Sequence, residues 1–470
     1  MSQPDRMSAL DASFLHLERG EMPMHMAAML VFEGPAPDYD EFREAVHVRL
    51  DRIPRYRQRV REIPMQLNTP VWIDDAYFNL DYHLRHVALP KPGDEEQLRA
   101  LTSRILGQRI DMSRPLWEMW LIEGLRDGRW AMLSKVHHAM VDGQSGRDMM
   151  EMLLEADREA PDPLADDWVP VAEPGDAELL GSAVAETVID PLKTVERVAT
   201  SLSAPKEFAG QAVARAAGAL KSGARLAHTE DFLVGKVGPH RRWTWVELDL
   251  ATIKDIKNTL GGTVNDVLLS AIAGGFRGLL LERGEELEPD AIIRTMVPIS
   301  VRVGGDVSGG NQVAAIFTDL PVGLPDPVAR LQFVMDEMDH VKHSGEVLSV
   351  PTILSAAPFV PPALLAAAGR AAARLPQRSV GTVTTNIPGP QFPLYFIGRE
   401  MLGMVPFVPL GPGVRAAVAM MSYNGGVWCG ITADYDAVPD VQQIAEGIAA
   451  TVAELSVVAG SRVTGRKRRP

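Results

Sequence analysis

The sequence predicts an α+β protein built of two lobes of similar size, each with a mixed or antiparallel sheet flanked by helices. Three observations support this fold class. The chain has 470 residues and is 46% apolar, which is enough for two separate cores. Strand-like runs alternate with amphipathic helices in both halves of the chain, and an acidic, proline-containing segment lies between the halves.

The first predicted lobe spans residues 1–154. Apolar residues that recur with a 3.6-residue period indicate helices, whereas short runs rich in β-branched and aromatic residues indicate strands. Asp127-Gly128 lies between two strand-like runs, and this residue pair is favoured in hairpin turns. The predicted elements are a strand at 27–33, helices at 40–52 and 98–110, and strands at 117–123 and 130–138.

Residues 155–240 are predicted to join the two lobes. The stretch 155–178 holds nine acidic residues, four prolines and one base, a composition typical of a solvated linker. An acidic surface loop without a role is the alternative interpretation. Helical spacing of apolar residues follows and leads into an Ala-rich, partly basic run at 208–226, which either packs on a lobe or lies on a lipid surface. The acidic residues are Glu155, Asp157, Glu159, Asp162, Asp166, Asp167, Glu173, Asp176 and Glu178.

The second predicted lobe, residues 241–461, repeats the alternation of strands and helices. Thr263 precedes an apolar helix and is its predicted N-cap. Asn424-Gly425-Gly426 predicts a turn between two strands. The predicted elements are strands at 244–250 and 292–301, helices at 263–281 and 327–343, and a strand pair over 414–433.

Composition excludes several classes of protein. A net charge of -14, from 47 basic and 61 acidic residues, argues against a general nucleic-acid binder. The only cysteine is Cys429, which excludes a disulfide framework and a C-x-x-C metal or redox site. Residues 1–10 are too polar for a secretory signal peptide, so a cytoplasmic chain is expected. Residues 347–369 are uncharged but contain four prolines, which predicts a buried or membrane-contacting segment rather than a spanning helix.

The most informative residues are His137 and His138, which end a predicted strand and precede Asp142 and Gly143. Adjacent side chains on a strand point to opposite faces, so at most one of the two histidines faces a given pocket. A neutral imidazole is a natural general base near pH 7. An aspartate beside a glycine at a turn suits an orienting role. The alternative is a satisfied core pair of histidines, whereas a zinc site is disfavoured because no third ligand lies at a fixed spacing.

Other catalytic schemes lack their motifs. Gly143-Gln144-Ser145-Gly146 is one residue short of the G-x-S-x-G elbow, and Cys429 has no histidine within twenty positions. The sequence shows no phosphate-binding or dinucleotide-binding glycine pattern. Direct transfer assisted by a general base is therefore the simplest chemistry.

The stretch from His137 to Gly143 matches the H-H-x-x-x-D-G signature of the CoA-dependent acyltransferase superfamily, which includes chloramphenicol acetyltransferase and the condensation domains of peptide synthetases. With further motifs spread over nearly the whole chain, the sequence resembles the bacterial wax ester synthase/acyl-CoA:diacylglycerol acyltransferases, including the actinobacterial triacylglycerol synthases. The D-F-G-W-G element of chloramphenicol acetyltransferases is absent, and residues 422–426 occupy a comparable place. The further motifs are residues 7–15 (MSALDASFL), Pro115-Leu116-Trp117, Asn265-Asp266, residues 298–302 (PISVR) and Asn386-Ile387-Pro388-Gly389-Pro390.

The resemblance implies two chloramphenicol-acetyltransferase-like lobes with an active-site tunnel between them. It assigns the general base to His138, a supporting role to His137, a structural role to Asp142 and the turn to Gly143. His138 would take the proton of an acceptor hydroxyl, whose oxygen attacks the thioester of a fatty acyl-CoA, and would return the proton to the CoA thiolate without an acyl-enzyme. Acyl-CoA is then a co-substrate, and neither a metal nor a permanently bound cofactor is expected. Arg302 is the predicted partner of Asp142.

Five further residues are candidates for substrate or oxyanion contact. The Asn265-Asp266 pair alternatively packs the start of a helix, and Asn386 alternatively belongs to a rigid Pro-Gly turn. The triplet that ends at Trp117 is interpreted as the start of a core strand. The five candidates are Asn265, Asp266, Asn386, Ser134 and Gln144.

The predicted function is transfer of a fatty acyl group to diacylglycerol or a long-chain alcohol. The alternatives are an acyltransferase or condensation enzyme that acts on another hydroxyl or amine, and an inactive lipid-binding homologue. Exposing an acyl chain costs about 0.8 kcal/mol per CH₂, so an apolar tunnel and peripheral attachment to the inner membrane or to lipid droplets are expected. The basic tail, residues 462–470, either attracts anionic lipid or is a disordered end. The sequence does not indicate the oligomeric state.

Overall fold

A computed structural model describes residues 5–18, 22–140, 153–159, 168–188, 232–300, 313–344, 348–349 and 380–466. Several predicted features lie outside these residues. They are the middle of the acidic segment, most of the helical crossover, nearly all of the uncharged stretch 347–369, and the end of the basic tail.

Nine helices and sixteen strands are present among the described residues, with short 3₁₀ turns between them. The helices are α1 Ala9–Leu17, α2 Tyr39–His47, α3 Leu80–His83, α4 Glu95–Gly107, α5 Asp176–Val188, α6 Leu250–Leu260, α7 Val264–Glu282, α8 Pro327–Ser344 and α9 Gln442–Arg466. The strands are β1 Asp5–Arg6, β2 His25–Phe32, β3 Gln58–Arg61, β4 Val71–Asp74, β5 Leu84–Ala88, β6 Trp117–Glu123, β7 Trp130–His137, β8 Arg241–Asp249, β9 Ile293–Ser300, β10 Val313–Leu320, β11 Leu348–Ser349, β12 Thr382–Pro388, β13 Tyr395–Phe396, β14 Arg399–Phe407, β15 Ala416–Tyr423 and β16 Gly426–Asp434.

The strands form one large sheet per lobe and one small sheet. The sheet of the N-terminal lobe has six strands in the order β13-β14-β2-β7-β6-β5, and that of the C-terminal lobe has seven in the order β11-β10-β9-β12-β15-β16-β8. Both are mixed, because β5 runs parallel to β6, and β12 runs parallel to β9 and β15. The predicted α+β fold with two lobes and mixed sheets is confirmed.

The predicted elements are present, with small shifts at their ends. The helix predicted over residues 40–52 ends at His47, and a 3₁₀ turn follows. The hairpin β6–β7 turns at Asp127 and Gly128, both of which have positive φ. Thr263 caps α7 through a reciprocal pair of hydrogen bonds with Asp266, as a capping box requires.

One strand crosses from the C-terminal lobe to the sheet of the N-terminal lobe. By sequence position β14 belongs to the second predicted lobe, residues 241–461, yet it pairs antiparallel with β2 and extends the sheet of the N-terminal lobe. The division into consecutive domains therefore does not describe the sheets, because a local sequence pattern does not specify which strand a given strand will pair with. Tyr423 on β15 secures the crossing segment: its hydroxyl donates to the Met401 carbonyl at 2.9 Å and accepts from the Leu394 N–H at 2.8 Å.

Part of the acidic segment forms ion pairs with the N-terminal lobe. Glu173 lies 2.6 Å from the guanidinium of Arg59, and Asp176 lies 2.7 Å from that of Arg61. In α5, Leu179 is fully buried in a small cluster on the three-stranded sheet β1-β4-β3. Within the predicted linker, residues 155–178, Glu173 and Asp176 thus pair with the two β3 arginines, while Val169, Val171 and Asp176 remain exposed to solvent. The role of this segment as a linker stays a prediction.

Two helices are long and apolar enough to cross a membrane by length and composition alone, among the residues that the structure describes. They are α7 and the first twenty residues of α9. Phe276 of α7 and Ile444 and Ile448 of α9 are fully buried in the core of the C-terminal lobe. Burial in this core accounts for the apolar character of α7, whose apolar window is 72% buried, whereas only 39% of the corresponding window of α9 is buried.

Candidate active site

The two histidines of the signature lie where a central strand ends. All eight residues of β7 are buried; His137 is the last of them, and His138 begins a 3₁₀ turn. His137 is fully buried, whereas His138 is partly exposed. The two histidines thus differ in exposure, but strand alternation is not the reason, because the strand ends at His137.

His137 is hydrogen-bonded through one ring nitrogen, and its other ring nitrogen lies beside a buried carboxylate. Its Nδ1 accepts a hydrogen bond from the Ala139 N–H at 3.0 Å, so the proton of the neutral ring lies on Nε2. That Nε2 lies 2.9 Å from a carboxylate oxygen of Glu18, whose side chain is 2% exposed. His137 is thus a fixed, buried supporting residue.

His138 presents its ring at the edge of this buried cluster. Its backbone N–H donates to the Met24 carbonyl at 2.8 Å. The Phe14 ring of α1 stacks on its imidazole, with ring centroids 3.8 Å apart and planes inclined by 21°. Its Nδ1 is buried and has no hydrogen-bond partner among the described residues that meets normal geometry.

Burial lowers the pKa of His138 to about 4. Its own backbone carbonyl opposes this shift, and the neighbouring His137 adds to it. Desolvation disfavours the charged imidazolium, so the group is neutral at pH 7. A neutral, partly exposed imidazole is in the protonation state that a general base requires.

A second layer of buried polar groups lies behind the histidines. The Lys135 ammonium, fully buried, donates to the Gln108 carbonyl at 2.5 Å at the C-terminal end of α4, where a cation is favoured. Burial lowers the pKa of Lys135, and the nearby carboxylates of Glu118 and Glu18 oppose the shift. His25 lies directly opposite His137 on β2, and burial holds its pKa well below the usual value. The site is therefore a packed polar layer and not a lone histidine pair.

Three predicted site residues and one predicted partner lie outside the described part of the chain. They are Asp142, Gly143 and Gln144 of the signature, and Arg302. The orienting role of Asp142, the turn at Gly143 and the pairing of Asp142 with Arg302 therefore stay predictions.

The structure brings two of the other candidates together. The Asn386 side chain, on β12, donates to the side-chain oxygen of Asn265 at 3.2 Å, and both residues are partly exposed. Among the described residues, neither amide forms a hydrogen bond with His137 or His138. Substrate contact by these two amides stays a prediction.

Asp266 and Ser134 are buried. One Asp266 carboxylate oxygen accepts from the Thr263 N–H at 2.8 Å, which agrees with the alternative that this residue starts a helix. Ser134 lies in β7 between Ala28 and Met119 of the neighbouring strands. Their direct roles toward substrate are untested predictions.

The Pro115-Leu116-Trp117 triplet begins a core strand. Leu116 and Trp117 are buried, β6 starts at Trp117, and its indole donates to the Tyr56 carbonyl at 2.7 Å. The triplet therefore supports the sheet that carries His137.

Sequence reasoning missed Glu18, Met24 and Phe14 as parts of the site. All three lie in or just after α1, which begins within the motif at residues 7–15. That motif supported the family resemblance but offered no sign that its helix packs against the histidines. In the described part of the chain, no group of three or more His, Cys, Asp or Glu side chains is arranged to hold a metal ion.

The two lobes, with β14 crossing from one to the other, define a fold class that also contains condensation domains of peptide synthetases. The first condensation domain of the calcium-dependent antibiotic synthetase, solved with a substrate analogue, has this fold at TM-score 0.60 and 16% identity, over 97% of each chain. The starter condensation domain of rhizomide synthetase, solved with C8-CoA, matches at TM-score 0.55 and 16% identity, over 97% of this chain and 95% of that one.

Within this class, two models of one family match the sequence. The wax ester synthase/diacylglycerol acyltransferase catalytic domain matches residues 7–268, and the C-terminal domain of the same family matches residues 309–456. A probable diacylglycerol O-acyltransferase of Mycobacterium tuberculosis is 34% identical over 467 residues, 99% of this chain and 98% of the relative. The wax ester synthase/diacylglycerol acyltransferase from Marinobacter aquaeolei VT8 matches at TM-score 0.68 and 25% identity, over 97% of this chain and 100% of that one.

The chain belongs to the wax ester synthase/diacylglycerol acyltransferase family, and it is an acyltransferase. The resemblance that the sequence motifs indicated is confirmed.

Proposed function

We propose that this acyltransferase transfers a fatty acyl group from acyl-CoA to the hydroxyl of diacylglycerol or of a long-chain alcohol, with His138 as general base. The observation that carries the proposal is the state of the His138 imidazole. It is partly exposed at the end of β7, is stacked on Phe14, and is neutral at pH 7 because burial lowers its pKa to about 4.

The two ring nitrogens of His138 have different roles in the proposed reaction. Nδ1 is buried beside the backbone carbonyl of the same residue, which favours a proton on that atom. Nε2 then carries the lone pair that accepts the proton of the acceptor hydroxyl. The acceptor oxygen attacks the thioester carbonyl, the C–S bond breaks, and the imidazolium returns its proton to the CoA thiolate. The low pKa makes this imidazolium a strong acid, which favours the return of the proton.

Acyl-CoA is the proposed donor, and no covalent acyl-enzyme is required. The starter condensation domain of rhizomide synthetase, which has the same fold, was solved with C8-CoA. The proposed acceptors are those that the family description names, diacylglycerol and the alcohol of a wax ester. Asn265 and Asn386, joined by a hydrogen bond, are proposed to contact substrate.

We further propose that the enzyme works at a lipid surface, in the cytoplasm, attached peripherally to the inner membrane or to lipid droplets. Both the acyl chain and the acceptor are apolar, and each CH₂ kept from water is worth about 0.8 kcal/mol. Flotation with lipid vesicles tests this part: the protein is expected to rise with vesicles that contain anionic lipid and diacylglycerol, and recovery only from the bottom fraction would refute it.

The reaction is tested with purified protein and radiolabelled palmitoyl-CoA, offered separately with diacylglycerol and hexadecanol. Labelled triacylglycerol or wax ester is expected from the parent, and His138→Ala is expected to lose at least about 100-fold in kcat. Equal product from the variant and the parent would overturn the role of His138. Product with neither acceptor, in a protein that still binds palmitoyl-CoA, would overturn the proposed acceptors.

A further inference from the structure

Glu18 is a buried carboxylate that the proposed reaction does not use. It ends α1, and its side chain is 2% exposed. One carboxylate oxygen serves two partners: it accepts from the Met24 N–H at 2.8 Å and lies 2.9 Å from His137 Nε2. A buried carboxylate is costly unless it is paired and hydrogen-bonded, so its position requires a reason.

The surroundings of His137 select one state of its ring. Because Nδ1 of His137 accepts from the Ala139 N–H, the ring proton lies on Nε2, the nitrogen that lies 2.9 Å from Glu18, although the two atoms do not meet the geometry of a hydrogen bond. Rotation of the ring by 180° would place a carbon atom toward the carboxylate and lose the contact with Ala139. The contact with Ala139 therefore fixes the tautomer of His137, and the nearby Glu18 carboxylate favours the same orientation by its charge.

Three chains of contacts connect Glu18 to His138. Met24 donates its N–H to Glu18 and accepts the His138 N–H through its carbonyl at 2.8 Å. The Ala139 N–H, on the other side of His138, is held by His137. The Glu18 N–H donates to the Phe14 carbonyl at 3.0 Å, and the Phe14 ring stacks on the His138 imidazole.

We propose that Glu18 is a positioning residue for acyl transfer, which acts through His137 and Met24 to hold the His138 imidazole where it meets the acceptor hydroxyl. The inference rests on the proposed role of His138. It adds a third group to the site, one that fixes the supporting histidine as a carboxylate fixes the base in other acyl-transfer enzymes.

The test compares Glu18→Ala and Glu18→Gln with the parent in the palmitoyl-CoA assay. Glu18→Ala removes the contacts with Met24 and His137 and is expected to lower kcat about 10- to 100-fold. Losses of this size are typical when a carboxylate that orients a functional histidine is removed, as is known from histidines that bind metals in other proteins. Glu18→Gln keeps an oxygen that can accept from Met24 and His137, and it is expected to recover most of this loss. The KM for palmitoyl-CoA should stay within about twofold, because positioning acts on the transition state. Glu155→Gln is the matched control: it removes a carboxylate paired with Arg49, and kcat should not change.

A double-mutant cycle with His137→Gln separates positioning from a merely structural role. If Glu18 acts mainly through His137, adding Glu18→Ala to His137→Gln will lower kcat by less than about twofold, instead of the 10- to 100-fold loss expected of Glu18→Ala in the parent. If the losses of the two single variants multiply, the proposal is overturned. It is also overturned if Glu18→Ala has the same kcat per folded molecule as the parent; thermal unfolding, measured alongside, gives the folded fraction. His138→Ala with parental activity would instead overturn the base assignment, and that result is independent of the Glu18 cycle.

Discussion

At the residue scale, the assignment of the general base depends on the different exposure of two adjacent histidines, His137 and His138. His137 is sealed between Glu18 and its own turn, and His138 keeps a partly exposed ring stacked on Phe14. Burial is the largest cause of the low pKa of His138, and no described carboxylate contacts that ring to raise it. The base is therefore neutral over the whole physiological range.

The pH profile should show this low pKa. For a base with a pKa of about 4, kcat/KM is expected to stay level from pH 8 down to about pH 5 and to fall as the pH approaches 4, where the imidazole is protonated. Initial rates in overlapping buffers, corrected for the folded fraction at each pH, measure the profile. An inflection near 6.5 assigned to His138 would contradict the prediction.

The stacked ring of Phe14 should matter for turnover. An aromatic contact of this kind is worth about 0.5–1.5 kcal/mol, so Phe14→Leu, which keeps an apolar side chain, is expected to lower kcat about 2- to 10-fold. Phe78→Leu, which removes a partly buried ring near His83 instead, is the control. Unchanged kcat in Phe14→Leu would show that the stack does not hold the imidazole.

At the scale of elements, the crossing strand joins the lobes. β14 pairs with β2, which lies beside β7, so the strand that carries His137 is supported by a segment from the C-terminal half of the chain. The edge strand β8 is covered in turn by α4: the Ser103 hydroxyl accepts the Trp243 N–H at 2.9 Å. Each lobe thereby protects an edge of the other.

The Tyr423 hydroxyl is expected to stabilise this crossing. Tyr423→Phe leaves the buried Met401 carbonyl and Leu394 N–H without that partner, at a cost of about 1–3 kcal/mol in the free energy of unfolding. Urea denaturation measures the loss. Tyr435→Phe, at an exposed ring, should cost less than about 0.5 kcal/mol. Equal stability of the two variants would contradict the role of the hydroxyl.

At the scale of the whole molecule, neutral buried histidines couple stability to pH. Burial lowers the pKa of His83 and of His138 to about 4 and holds that of His25 well below its usual value. Between pH 6.5 and 4 the unfolded chain binds these protons and the folded chain does not. Stability is therefore full above pH 6.5 and falls as the pH drops below it.

The expected slope follows from this proton difference. Each of these histidines lowers the free energy of unfolding by about 1.4 kcal/mol per pH unit between the two pKa values, or about 3 kcal/mol in total for His83. Urea denaturation at pH 7.5, 6.5, 5.5 and 5.0 measures the slope. His83→Gln should make it shallower by one proton. A parent with constant stability from pH 7.5 to 5.0 would contradict the prediction.

The sequence alone determined the local elements, the histidine signature and the family, because these depend on residue type and on short spacings. Periodicity placed α2, α4, α7 and α8, and Thr263 marked the start of α7, whereas α1, α6 and α9 were not predicted. The separation of His137 and His138 was predicted from strand geometry, but in the structure it arises where the strand ends at His137 and a 3₁₀ turn begins at His138.

Only the tertiary structure decided which strands pair and which side chains surround the histidines, because these features depend on contacts between residues far apart in sequence. It placed β14 in the sheet of the other lobe and paired Glu173 and Asp176 with the β3 arginines. It also brought Glu18 to His137 across more than a hundred positions of chain, and Asn386 to Asn265. From sequence alone, a glutamate at the end of a helix such as Glu18 is expected at the surface. Only the packing of α1 shows that it is buried against the histidine pair.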